Sequence, residues 1–411
     1  MSPTETMRPQ IERAQKRSLG IGAAAGVLAL ILGLLEAHRA GGQGWEAFFH
    51  SYLFAFVYVL AIPLGSLGFL MLHHLTSGPW GLPIRRILEA STRTLWVTAV
   101  LFIPVLIGLS HTFPWTRSGV IPDDAVSHFK RIYLQRGFFT MRAVIYFAIW
   151  VIMAHLLNKW SAEQDRTRDL RLKQSMTGLS GPGLVIWSIT VGAAAVDWVM
   201  SLEPRWSSTI WGMLFMVIMA LAGLTFSIVI LRTLSNDEPL KDCVRPKDYN
   251  DLGNLILTFT LLWTYLSFSQ FLIIWSGNLK EEIPWYMIRA RGPWVGVAAI
   301  LLLFHFFLPF FVLLQRRVKR RLSTLSVVAV WMLILSLVDV YWLVVPAYQP
   351  NGPDFRHPVT VLLELSALLG VGGLWLAAFY TELRKLPLLP LHDPRFETFL
   401  EHQRLEHQHG D

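Results

Sequence analysis

Two ionisable residues stand where apolar side chains would be expected. Asp197 ends the run GLVIWSITVGAAAVD, and Arg142 interrupts FFTMRAVIYFAIW. Charge inside a membrane span is costly, so such residues usually face a bundle interior and mark ion or proton paths. Six more belong to the same class. Asp339 lies in SLVDVYWLV, His305 in LLLFHFFLPFF, and Glu364 in the last apolar run. His155, Arg93 and Glu89 lie near span edges. Sorted by depth, Asp197, Asp339, Arg142 and Glu364 fall toward the outer side. His305 falls near the middle, and His155, Arg93 and Glu89 fall toward the cytoplasm.

The chemistry these types offer is proton handling. Asp197 and Arg142 sit at similar depth on neighbouring spans, and pairing would offset much of the desolvation of each. Asp339 has no obvious cation nearby in sequence. A buried carboxyl of that kind can change its charge state, as a proton path requires. Imidazole titrates near neutrality, so His305 would link outer and inner groups. Each residue also has a plainly structural reading. Asp197 can bond an exposed backbone end or Trp198, and Arg93 can snorkel to the membrane surface. A set of such groups at complementary depths favours the functional one.

A second polar feature is the strip TYLSFSQ, with Tyr265, Ser267, Ser269 and Gln270. Together with Asp197 it would suit a quinol headgroup, the acid accepting a proton. Trp198, Trp206, Trp211, Trp275, Trp285, Trp294 and Trp342 gather near span ends, the position of an interfacial aromatic belt. Pro63, Pro104 and Pro309 lie inside spans and should kink them.

The elements that must hold these residues are membrane helices. Hydrophobic residues make up 53% of the 411 and charged residues 16%, well below the roughly 25% charged residues of soluble domains. A helix needs about 20 apolar residues to cross the hydrocarbon core. Ten runs qualify, at 19–37, 48–72, 88–110, 138–158, 181–201, 208–231, 252–275, 293–315, 323–345 and 358–382. The chain reads as an all-α membrane protein. The first run lacks a clear cleavage site and reads as a retained helix, not a secretory signal.

Lys and Arg concentrate in alternate connections, most densely in QRRVKRR. By the positive-inside rule both ends are cytoplasmic. The net charge of +8 is thus topogenic and implies no nucleic-acid partner. The segment 1–18 is the cytoplasmic N-terminus and 383–411 a polar, His-bearing tail. AAVDWVMSL and SLVDVYWLV end spans five and nine alike. This short repeat suggests two four-helix bundles, spans two to five (48–201) and six to nine (208–345), with two peripheral helices. The one cysteine, Cys243, excludes an internal disulfide and any cysteine-rich iron–sulfur or zinc site. The chain also lacks a C-x-x-C-H haem motif, a P-loop and a dinucleotide fingerprint. No catalytic residue and no metal site is expected.

DWVMSLEPRWSSTIWGM, FFTMRAVIYFAIW, NDLGNLILTFTLLWTYLSFSQFLIIWSGNLKEEIPWY, HFFLPFFVLL and DVYWLVVPA resemble segments of the ActF family. ActF proteins are membrane subunits of alternative complex III, a bacterial quinol:electron acceptor oxidoreductase, so the resemblance implies a bacterial inner membrane. The resemblance covers most of residues 138–350. It implies a fold similar to the membrane subunits of NrfD and polysulfide reductase. It also implies a subunit without its own redox cofactor, beside partners that carry haem c and iron–sulfur clusters. Those partners would include a paralogous membrane subunit, ActC, with the quinol site. Small membrane subunits, lipids and a docked terminal oxidase complete the expected company. The role implied is assembly support and proton translocation through the buried groups named above. Two alternatives remain at this point, a quinone-binding anchor and a stand-alone secondary transporter.

Overall fold

A computed structural model describes residues 3–39, 45–117, 119–121, 125–235, 245–353, 357–385 and 387–388. Cys243 and the histidines of the C-terminal tail lie outside the described residues. Among those described, every regular element is helical, and ten helices are long and apolar enough to cross a membrane. The protein is therefore a multi-pass integral membrane protein. A helix satisfies its backbone hydrogen bonds internally, which a hydrocarbon solvent requires.

The first five spans are α1 (Pro3–Arg39), α2 (Trp45–Thr76), α3 (Arg85–Ile107), α4 (Arg136–Thr167) and α5 (Leu170–Trp198). The others are α6 (Trp211–Leu234), α7 (Pro246–Gly277), α8 (Pro293–Leu314), α9 (Leu322–Val344) and α10 (Pro358–Leu383). Several overrun the spans expected from hydropathy. α1 runs through the polar N-terminal segment, and α4 and α7 extend past the apolar limits at 158 and 252. Hydropathy reports where lipid lies, whereas a helix continues until a cap or a breaker stops it. Arg168, in the left-handed conformation, stops α4.

α2 and α6 are the central pair, and most of both helices is buried. They cross where glycines remove the side chains. A Cβ on Gly65 would lie 1.7 Å from the Met219 carbonyl oxygen, and one on Gly223 would lie 2.6 Å from the Ser66 nitrogen. Around them, α2 also meets α3, α5 and α10, while α6 meets α5, α7 and α9. α4 packs on α3 and α5, and α8 on α7 and α9. α1 lies along α10 through another glycine contact, in which a Cβ on Gly22 would come 2.5 Å from the Leu374 nitrogen.

The prolines act differently from one another. Pro63 sits within the uninterrupted helix α2. α3 is broken into Arg85–Arg93, Leu95–Leu101 and Ile103–Ile107, with Pro104 in the first turn of the last piece. In α8 the stretch Leu301–Phe307, just before Pro309, winds as a π-helix, and the Leu308 N–H reaches back five residues to the Leu303 carbonyl. Pro309 has no N–H to give to the carbonyl four residues earlier, that of His305, so a wider turn there is inexpensive.

The spans join into two faces. At one, Gln15 reaches Thr381, Thr177 reaches the His74 carbonyl, and Lys319 reaches Asn254. It carries the end of α10 and the cluster Arg316–Arg321, and is called the basic face below. At the opposite face Trp115 bonds Ser201, Arg289 bonds Glu203, and Trp294 bonds the Gln349 carbonyl.

Candidate functional site

The Asp197–Arg142 pair forms as the sequence suggested. Arg142 Nε donates to Asp197 Oδ2 at 2.8 Å and Nη2 to Oδ1 at 2.9 Å. This two-pronged fit suits a planar guanidinium. Tyr146 donates to the same carboxylate at 3.0 Å. The third guanidinium nitrogen, Nη1, donates to the Tyr133 carbonyl at 2.7 Å, and the guanidinium carbon lies 3.7 Å from the centre of the Tyr133 ring. Asp197 is fully buried. The Tyr133 hydroxyl, in the short helix Ala125–Tyr133, is pushed up to about 12, by burial first and by the charge of Asp197 next. It therefore stays protonated at neutral pH. The assembly is a closed, satisfied ion pair.

Asp339 has a partner that the sequence reading missed. Trp263 on α7 donates its indole N–H to Asp339 Oδ2 at 2.8 Å. The other edge of this arrangement is His305, whose ring meets the Trp263 ring edge-on, with centroids 4.3 Å apart. Asp339 is 2% exposed and His305 is 1% exposed. Neither ring nitrogen of His305 has a hydrogen-bond partner among the described residues. Three helices thus bring an acid, a neutral donor and an imidazole together inside the bundle. The π-turn in α8 carries His305, and such turns often occur at functional positions.

Glu364 forms a separate group. It accepts from Tyr341 and from Gln349, each at 3.2 Å. It lines a cavity of about 340 Å³ near the opposite face, with His50, Tyr348 and Glu46. His50 stacks on Tyr348 at 3.5 Å.

At the basic face the expected residues divide. Glu89 is held by Arg85 at 2.9 Å, Arg86 at 2.6 Å and Ser161 at 2.6 Å, and Arg86 also binds Asp165. This network has charge on every side and resembles a structural lock more than a relay. Arg93 forms no ion pair of its own with Glu89, although its charge acts on that carboxylate, and places Nε on Asn158 Oδ1 at 2.9 Å. His155 is exposed, and with Arg93 it lines a different cleft, between α3, α4 and the end of α10.

The polar strip of α7 does not share one face. Tyr265 is 66% exposed, Ser267 and Ser269 are half-buried, and Gln270 is buried and accepts from Ser208 at 3.0 Å. Asp197 is enclosed by Arg142 and Tyr146. A headgroup site built from these residues and Asp197 has no support in the geometry, because a helix spreads near neighbours around its circumference.

The tryptophans correct the belt reading. Trp198, Trp206, Trp211, Trp285 and Trp294 are buried, whereas Trp275 faces outward. Trp206 stacks on Trp285 at 4.9 Å, and Trp211 meets Trp206 edge-on at 5.0 Å. Over Trp285, at 3.7 Å, lies Arg289, a residue that nothing in the sequence analysis singled out. It donates to Glu203 at 3.0 Å and to the carbonyls of Trp342 and Leu343. Burial pulls Arg289 down to about 10, against the pull of Glu203, and it stays cationic at neutral pH. The available signal was Trp285 four residues before it, one helical turn away.

Among the described residues, no group of three or more His, Cys, Asp or Glu side chains is gathered as a metal site would need. No protein-family model and no curated protein matches the chain.

Proposed function

We propose that this chain is a membrane subunit of a quinol-oxidising respiratory complex of the alternative complex III type. In this reading it carries no redox cofactor of its own and supports proton movement coupled to chemistry in a partner. The observation that carries the proton-handling part is the Asp339–Trp263–His305 arrangement. An indole N–H only donates, so Trp263 orients the carboxyl without exchanging protons with it. His305 has open nitrogens beside the same ring, and imidazole both takes and gives a proton. Transfer between the two would run through water. The Asp197–Arg142 pair is fully satisfied, and its role here is to hold α4 to α5.

The resemblance of residues 138–350 to ActF proteins supports the place in a complex. So does the limited burial of α1, α7 and α8, which leaves long apolar faces for lipid or neighbouring subunits. The test is purification of the chain from its native membrane in mild detergent, followed by a visible spectrum and mass spectrometry. Haem c absorption, an iron–sulfur protein and a second multi-span subunit are the expected companions. A colourless chain that purifies alone would end the respiratory reading and leave a stand-alone transporter.

A further inference from the structure

The cleft between α3, α4 and the end of α10 has no part in the proposed proton chemistry. Its volume is about 520 Å³, and Arg93, Lys159 and Lys385 line it together with a single carboxylate, Glu382. Lys385 donates to Glu382 at 2.5 Å. That contact accounts for one cation. Arg93 gives only its Nε to Asn158, so both Nη groups have no hydrogen-bond partner among the described residues. Lys159 is exposed and likewise forms no ion pair among them. The cleft thus has an excess of positive charge with donors to spare.

Its remaining walls are apolar. Leu95, Trp96, Val151 and Ala154 continue from the charged rim along α3 and α4, into the part of each helix that lipid would cover. Trp96 is exposed there. Cations above and hydrocarbon-facing side chains below match the two halves of a phospholipid. Basic pockets between spans are suited to anionic headgroups, and a guanidinium with free N–H groups matches phosphate oxygens.

We propose that this cleft binds the phosphate of an anionic phospholipid, with Arg93, Lys159 and Lys385 as donors and an acyl chain lying against Trp96 and Val151. Free phosphate shares the headgroup chemistry, but it would leave the apolar wall uncovered. The site stands independently of the respiratory reading, because it needs only a membrane.

Native mass spectrometry of the full chain, titrated with phosphatidylglycerol or phosphatidylcholine, tests it. The wild type should retain phosphatidylglycerol in preference. Lys159→Gln with Lys385→Gln should weaken that retention by about fivefold for each cation removed. Arg316→Gln with Arg317→Gln, in the loop cluster on the same face, should leave it unchanged. Both lysines are exposed, so the decisive variant does not depend on Arg93, whose loss would also release Asn158. Equal retention of the two lipids, or retention unchanged in the lysine variant, would overturn the proposal. Displacement of the lipid by inorganic phosphate as readily as by short-chain phosphatidylglycerol would assign the cleft to free phosphate and equally overturn it.

Discussion

At the scale of single residues, the two buried acids of the half opposite the basic face have different surroundings. Asp197 is matched by a cation, and Asp339 by an indole. The first should therefore matter for stability and the second for proton chemistry. Removing one member of a buried ion pair leaves the other uncompensated, at a cost of about 3–5 kcal/mol. Arg142→Met should be the more damaging single change, because it strands a fully buried carboxylate with only neutral tyrosine donors. Asp197→Asn leaves Arg142 its Tyr133 carbonyl and two aromatic faces. Combining Asp197→Asn with Arg142→Met should recover part of the loss. Thermal unfolding in detergent, followed by size-exclusion fluorescence, ranks the three variants. A double variant no better than Arg142→Met would mean that the pair contributes little beyond packing. Asp339→Asn keeps the Trp263 contact through its amide oxygen. It should leave folding nearly intact and, under the proposed function, lower proton release per quinol in the assembled complex, and unchanged release would remove Asp339 from the proposed path.

At the scale of elements, the sequence shows where helices lie more readily than how they meet. The ten spans and the Asp197–Arg142 pair were legible because hydropathy and depth are properties of one segment at a time. The Trp263 bond to Asp339 was not, because it joins residues 76 positions apart in sequence and depends on how α7 and α9 rotate. The buried tryptophans were misjudged for the same reason, since a span end can face lipid or a neighbouring helix. Close crossings leave a mark that can be read, namely small residues four apart. Gly22 and Gly26 in α1 have that spacing, yet they differ physically. A Cβ on Gly22 meets the α10 backbone at 2.5 Å, whereas one on Gly26 meets nothing within 4 Å. Gly22→Ala should thus loosen α1 from α10 by about 1–3 kcal/mol, in the range of overpacked contacts. Gly26→Ala should be neutral or slightly stabilising, since alanine is the better helix former. Limited proteolysis of the N-terminal helix in detergent compares them, and equal sensitivity in both variants would argue against this crossing.

At the scale of the whole molecule, the direction of insertion decides what each site can do. An even number of spans returns the chain to the face where it began, and the basic residues gather on that face. The positive-inside rule predicts that this face is the cytoplasmic one. The cleft of Arg93, Lys159 and Lys385 then opens to the inner leaflet, where anionic lipid faces the cytoplasm. The cavity of Glu364 and His50 then opens outward, the side on which the proposed function would release protons. The sequence supplies its own probe of this orientation. Its one cysteine, Cys243, falls in sequence between the end of α6 at Leu234 and the start of α7 at Pro246, two helix ends on the basic face. A membrane-impermeant maleimide should label Cys243 in inverted membrane vesicles and fail to label it in intact cells. Reaction after detergent solubilisation supplies the reference for full labelling. The reverse pattern would place the basic face outside, and both assignments would then change together. The lipid cleft would have to be tested against outer-leaflet lipid, and in the proposed function the Glu364 cavity would face the side of proton uptake instead of release. Because both depend on one orientation, this labelling should precede any measurement of proton release.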